Sequence, residues 1–208
     1  MPGILDILEA PGQEVIITAG SGDYDRDEWF EQVCEIYPEA ARIEMDSAGN
    51  IIVTPFNSED SGYRSGEAFA QLRNWARRDR TGRAFDASTI FNLPNGAKRS
   101  PDAAWVSKEV LRAEGAATQR ATKTRHVPRF LIEVASPSDR VKDQRDKCRE
   151  WIENGAEEAI LLVPQDKTAY IFRSGSDEPL IVPNAMRVES AALSGFVLDC
   201  EPVWEDLV

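Results

Sequence analysis

Arg129-Phe130-Leu131-Ile132-Glu133-Val134-Ala135-Ser136-Pro137-Ser138-Asp139 is the stretch on which the reading of this chain turns. Its first half is nearly continuous in apolar residues, as in a strand buried on both faces, and Ser136 to Asp139 is turn chemistry. One carboxylate, Glu133, interrupts the apolar run. An isolated ionised carboxylate in a core costs several kcal/mol, so it is either neutralised or matched by a cation. Pairing with Arg125 or Arg129 near the strand start is the plain structural alternative.

Working outward, the turn leads into a helix predicted to run to about Glu153, with Val141, Cys148 and Ile152 on one stripe and Asn154-Gly155 as its stop signal. At about 100° per residue, Lys147 sits roughly 100–120° from that stripe, at the border of the buried face. It lies four residues before Trp151 and four after Asp143, so an Asp143 pair is its alternative partner. Strands are predicted at Ala159–Val163 and Thr168–Arg173, joined at Pro164–Lys167 as a hairpin, with shorter apolar pieces at Leu180–Val182 and Phe196–Leu198.

Upstream, Ser100-Pro101-Asp102 opens a strand over Ala103–Ser107, where a proline can begin but not continue pairing. Short strands are predicted at Arg83–Ala87 and Thr89–Leu93, a helical turn at Glu109–Arg112, and a loop at Ala113–Thr124. Phe69, Leu72, Trp75 and Ala76 recur at helical spacing between Tyr63 and Arg78; Arg73 and Arg77 flank that stripe, and Arg78 faces away. Ala41–Asp46 and Asn50–Pro55 read as a hairpin around Ser47-Ala48-Gly49, and a first helix is expected at Asp27–Tyr37, after a stretch at 9–25 rich in Gly, Pro and acids. The pattern is that of a single α/β or α+β domain around one mixed β-sheet flanked by helices. Residues 1–40 read as an N-terminal extension with a short helix, and residues 41–208 as the domain proper.

Composition at first argues against a nucleic-acid partner, because 36 acids oppose 24 bases over 208 residues and the net charge is −12. The charge is unevenly spread. Residues 1–60 carry −12, residues 61–152 carry +8, and residues 153–208 carry −8. Such a basic middle marks a potential binding face. No apolar run approaches the roughly 18 residues of a membrane span, and the N-terminus has no basic region of a secretory signal. A soluble, cytoplasmic protein is therefore expected. Cys34, Cys148 and Cys200 lack metal-site or disulfide spacing, His126 is the sole histidine, and neither GxGxxG nor a Walker loop occurs.

Two carboxylates at adjacent strand ends, Asp102 and Glu133, form an oxygen-ligand site suited to Mg²⁺ or Mn²⁺, and a nearby lysine would stabilise developing charge. Ordinary turn and strand-end roles remain the alternatives for both acids.

Together, Ser100-Pro101-Asp102, Glu133-Val134-Ala135-Ser136-Pro137-Ser138 thirty-one positions on, and Asp143, Lys147, Trp151 and Gly155 resemble the Uma-two family of restriction-endonuclease-like proteins, within the PD-(D/E)XK nuclease superfamily. The resemblance extends to Gly82–Asp86, Asn92–Gly96, the Arg42–Asp46 strand and the Ala159–Pro164 strand, and covers roughly residues 41–173. It implies a restriction-endonuclease-like fold with Asp102 and Glu133 as metal-binding carboxylates and the Val134 carbonyl as a further ligand. In the wider superfamily the lysine stands two residues after the glutamate; here that position is Ala135, and the pattern looks like a migrated version in which Lys147 supplies the amine from the next helix. Tyr63-Arg64 stands where relatives often carry a histidine, and Trp151 where a tyrosine is found. Glu44 and Glu67 are weaker candidates for a further carboxylate, and His126 reads as a surface group or phosphate contact.

The expected function is hydrolysis of phosphodiester bonds, in DNA first, with Mg²⁺ or Mn²⁺ as cofactor and Asp102, Glu133 and Lys147 as catalytic residues. Arg73, Arg77, Arg78, Arg120, Lys123, Arg125 and Arg129 are candidate phosphate contacts, and a homodimer would group the basic middles. The runner-up is a non-catalytic nucleic-acid-binding or protein-interaction module of the same fold. A carboxylate-pair glycosidase ranks lower, since aromatics are only 8% of the chain.

Overall fold

The structure is a computed structural model that describes residues 15–18, 25–36, 42–54, 58–119 and 126–206. In chain order its elements are β1 (Val15–Ile17), α1 (Arg26–Ile36), β2 (Arg42–Met45), β3 (Ile51–Thr54), α2 (Glu59–Asp79), β4 (Gly82–Asp86), β5 (Phe91–Asn92), β6 (Lys98–Arg99) and β7 (Ala103–Ser107). There follow α3 (Lys108–Gln119), β8 (Phe130–Val134), α4 (Val141–Glu153), β9 (Glu158–Val163), β10 (Thr168–Arg173), β11 (Leu180–Val182), β12 (Arg187–Glu189), β13 (Val197–Asp199) and α5 (Glu201–Trp204).

The central sheet has six strands in the order β11-β10-β9-β8-β7-β4. Only β8 and β9 run parallel, because α4 connects them as a crossover; the other pairs are antiparallel. This mixed α/β architecture is the expected class, but the single expected sheet is three. The hairpin β2–β3 leaves the central sheet and forms a five-stranded one, β1-β3-β2-β6-β5, while β12 and β13 pair separately. Its outer face explains the departure: Ile43, Met45, Ile51 and Val53 bury against Phe30 and Val33 of α1, a core of their own.

Each face of the central sheet is covered. On one, Ala68, Leu72, Trp75 and Ala76 of α2 pack on Ala103, Trp105, Phe130, Ile132, Ile160 and Leu162. On the other, Cys148 and Trp151 of α4 and Phe91 pack on Ala104, Val106, Leu131, Ala159 and Leu161. β8 and β9 are buried along almost their whole length, which accounts for their continuous apolar sequence.

Two predicted boundaries move by a helical turn or more. α2 begins at Glu59, one turn earlier than its apolar stripe, since Ser58 caps it by accepting from the Ser61 N–H (3.2 Å) and Glu59 and Asp60 sit at its positive end. The region expected to be a loop from Ala113 is helical to Gln119; its alanines are good helix formers, and small polar composition is not by itself a loop signal. Residues 120–125, most of 9–25, and Tyr37 lie outside the described residues.

α2 ends in a turn with Arg80 at φ 64°, and β4 starts two residues later at Gly82. A Cβ at Gly82 would stand 2.2 Å from Trp105 Cε2 and 2.4 Å from the Val106 carbonyl oxygen, so only glycine lets β4 start this tightly against β7 after the turn.

Candidate active site

The antiparallel register of β7 and β8 pairs Ala103 with Ile132, which brings Asp102 opposite Glu133 one step further on and Pro101 opposite Val134. Proline has no N–H to donate across the ladder, so regular pairing stops there. The Val134 N–H donates instead to Asp102 Oδ2 at 2.8 Å, which holds the carboxylate over the end of β8. Asp102 and Glu133 are both buried.

α4 supplies the cation. Lys147 Nζ lies 3.0 Å from Glu133 Oε1 and 3.2 Å from Glu44 Oε1, with its side chain only 9% exposed. Trp151, one turn on, donates its indole N–H to the same Glu133 Oε1 at 3.2 Å. The inward face of α4 is therefore Lys147-Cys148-Trp151, rotated from the expected Val141-Cys148-Ile152 stripe, with Val141 and Ile152 at its margins. The alternative pairings fail: Asp143 faces Arg140, and Arg129 bonds Glu157.

The five-stranded sheet closes the site from the other side. Along β2, Ile43 and Met45 point to their own core, so Arg42 and Glu44 share the opposite face. Arg42 Nη1 lies 3.1 Å from Asp102 Oδ1, and Glu44 Oε1 accepts the Ser100 N–H at 2.6 Å. Glu44, the weaker expectation, thus joins the cluster. Glu67 bonds Gln71, whose amide is tied to Asp199 of β13. Arg42 was not anticipated as a site residue; the signal was an arginine and a glutamate two apart on a strand whose intervening residues are apolar.

Around this centre, Arg99 Nε holds Glu150 of α4 at 2.6 Å, and Asn95 reaches both Glu150 and Asn154, so the β5–β6 hairpin fixes the helix that carries Lys147. His126 is not the surface group expected: its side chain is 9% exposed, 2.8 Å from Glu114 and edge-on to Phe91. Arg120, Lys123 and Arg125 lie outside the described residues.

The electrostatics follow from three carboxylates buried with two close cations. Burial and the neighbouring Asp102 and Glu44 carboxylates push Glu133 up to about 7, although Lys147 and Arg42 oppose the rise. Burial also works to raise Glu44, but Lys147, Arg42, Arg99 and the Ser100 N–H outweigh it and hold this carboxyl below its ordinary value. Lys147 is kept above its usual value because Glu133 and Glu44 overcome the burial that would neutralise it.

Residues 27–201 match the Uma2 family, described as "putative restriction endonuclease". The chain belongs to this family. No curated protein matches the Uma2 chain. Its fold is that of the crystal structure of "a putative nuclease belonging to DUF820" from Anabaena variabilis, with a TM-score of 0.69 and 16% identity over 88% of this chain and 98% of that one. A second likeness, to the DrdV–DNA complex, has a TM-score of 0.38 at 12% identity over 76% of this chain and 12% of that one, and is too slight to bear on the fold. Among the described residues of the Uma2 chain, no group of three or more His, Cys, Asp or Glu side chains is arranged to hold a metal, and no helix is long and apolar enough to cross a membrane.

Proposed function

We propose that this protein is a metal-dependent nuclease that hydrolyses phosphodiester bonds in DNA, with Asp102, Glu133 and Lys147 as its catalytic residues. The observation that carries this reading is the Lys147–Glu133 contact of 3.0 Å, since the amine absent at Ala135 arrives from α4. Family membership supports the nuclease class.

The residues suit a hard divalent cation. Asp102 and Glu133 offer oxygen donors alone, two carboxylates are a typical protein share for Mg²⁺, and the raised Glu133 marks a place where added positive charge is stabilising. Pro101 faces Val134 without an N–H, so the Val134 carbonyl is suited to be the third ligand. When bound, Mg²⁺ or Mn²⁺ supplies Lewis acidity toward a phosphoryl oxygen and activation of water. Lys147, held protonated by Glu133 and Glu44, stabilises the negative charge that develops on the phosphorus oxygens. Arg42 and the Val134 N–H orient Asp102, and Trp151 orients Glu133.

Cleavage of plasmid or oligonucleotide in Mg²⁺ or Mn²⁺ tests the reading. Asp102→Asn and Glu133→Gln should each abolish it with melting curves still cooperative; cleavage that persists in both variants sinks the proposal.

A second reading, a non-catalytic module of the same fold, draws on Asp102, both of whose oxygens are already bonded, to Arg42 and to the Val134 N–H. It requires that millimolar Mg²⁺ or Mn²⁺ leave the melting temperature unchanged, whereas an ion that binds only the folded state raises it.

A further inference from the structure

The return of β4 beside α2 opens a cleft of about 500 Å³ along the outer edge of the central sheet. Arg73 and Arg77, one turn apart on α2, line it together with Phe69 and with Arg83, Ala84, Phe85 and Asp86 of β4; Phe85 also lies edge-on to Phe91 on the opposite face of the sheet. All three arginines are exposed, and none has an ion-pair partner among the described residues. Arg42, Arg64, Arg99, Arg129, Arg149 and Arg173 are by contrast each paired with a carboxylate, while Arg78 and Arg187 share the exposed, unpaired state of the cleft arginines among the described residues. The acid in the cleft, Asp86, is turned to the Ser88 N–H at 3.1 Å.

The cleft leads to the candidate active site. Asp86 pairs with Ala103, the neighbour of Asp102. Beyond it, the Ala87 and Thr89 carbonyls accept from Ser100 Oγ, and the Ser100 backbone holds Glu44 through its N–H and Lys147 through its carbonyl. From Arg83 to Asp86 the strand advances about 10 Å, the rise of about three nucleotide steps in a duplex strand.

Building on the nuclease reading above, we infer that this cleft holds an unpaired nucleic-acid segment next to the bond to be cleaved, Arg73, Arg77 and Arg83 meeting its phosphates and the partly exposed Phe69 a base. Interleaved arginines and aromatic faces are how single strands are bound without sequence readout. The volume is that of a small-ligand pocket, so a duplex can only cross the rim, whereas a splayed nucleotide enters. The substrate class is then a single strand, flap or frayed end.

Fluorescence anisotropy in EDTA tests this apart from metal and cleavage. A labelled single strand should bind more tightly than the blunt duplex of the same sequence. In the triple variant Arg73→Ala/Arg77→Ala/Arg83→Ala, single-strand affinity should fall at least about tenfold and the slope of log K on log salt by about 2. Arg187→Ala, at an exposed arginine on β12 that does not line the cleft, serves as the control for loss of a surface charge and should bind like the parent, and melting curves check that the triple variant folds. Unchanged affinity and slope in a folded triple variant, or tighter binding of the duplex, overturns the inference. Arginine-dependent single-strand binding without cleavage in Mg²⁺ or Mn²⁺ removes the nuclease reading alone; cleavage with parental binding in the triple variant removes the cleft alone.

Discussion

Lys147 and Glu133 meet at 3.0 Å although one stands on a helix and the other on the strand before it. The β8–α4 crossover makes this possible. α4 packs on the face of the sheet toward which Glu133 points, and Trp151, one turn beyond Lys147, anchors the helix on the same carboxylate oxygen. A lysine at Ala135 would reach Glu133 from its own strand; α4 delivers the same charge from above.

Removing that charge is the direct test of the pair. Lys147→Met leaves Glu133 and Glu44 buried without their nearest cation, and breaking a buried pair from one side costs about 3–5 kcal/mol. Urea unfolding should show that loss. The double variant Lys147→Met/Glu133→Gln should lose less than the two single changes added together, because the carboxylate left stranded is gone. Strict additivity would show that the two groups do not act as a pair.

Trp151→Phe separates hydrogen bonding from packing. The ring stays apolar, but the N–H that Glu133 Oε1 accepts is lost, at a cost of about 1–3 kcal/mol for a buried acceptor. Glu133, already raised by burial, should titrate higher still, which carboxyl-carbon NMR reads directly. An unmoved titration would reduce Trp151 to a filler of volume.

Much of this centre was legible because it lies on strongly patterned elements. A lone glutamate in the β8 apolar run and an aspartate after a strand-starting proline each break a local rule, and such breaks concentrate at sites. Arg42 and Glu44 were harder. Their face of β2 meets Asp102 and Lys147 only because the hairpin leaves the central sheet, a tertiary choice made by the pairing of β2 with β6, whose two residues are too few to carry a strand period. His126 misled for a related reason: its polar sequence neighbours say nothing of Glu114 and Phe91, which cover it.

Gly82→Ala probes the turn that makes the edge cleft. The added methyl would collide with the Trp105 ring and the Val106 carbonyl, and the second of these is backbone that cannot swing away. Overpacking of this kind costs about 1–3 kcal/mol or more. The expected outcome is a lower melting temperature together with weaker single-strand binding, as β4 is pushed off β7 and Arg83 moves with it. A variant as stable as the parent would mean that β4 tolerates displacement.

The pH dependence of stability isolates Glu133. Its carboxyl is raised from 4.5 to about 7 on folding, so between those values the folded chain holds a proton that the unfolded chain has lost. Stability from this group therefore falls as pH rises through that window and is level above it. The whole effect is on the order of 3–4 kcal/mol. Glu44 has the opposite sign, its contribution being lost only as pH falls below the ordinary 4.5, and that of Lys147 is lost only as pH rises above 10.5, so neither interferes. Glu133→Gln should flatten the profile between pH 5 and 7 in urea unfolding; an unchanged slope would mean that another group sets it. The same proton competes with a divalent cation. Millimolar Mg²⁺ should accordingly raise the melting temperature more at pH 8 than at pH 5.5, and that difference should vanish in Glu133→Gln.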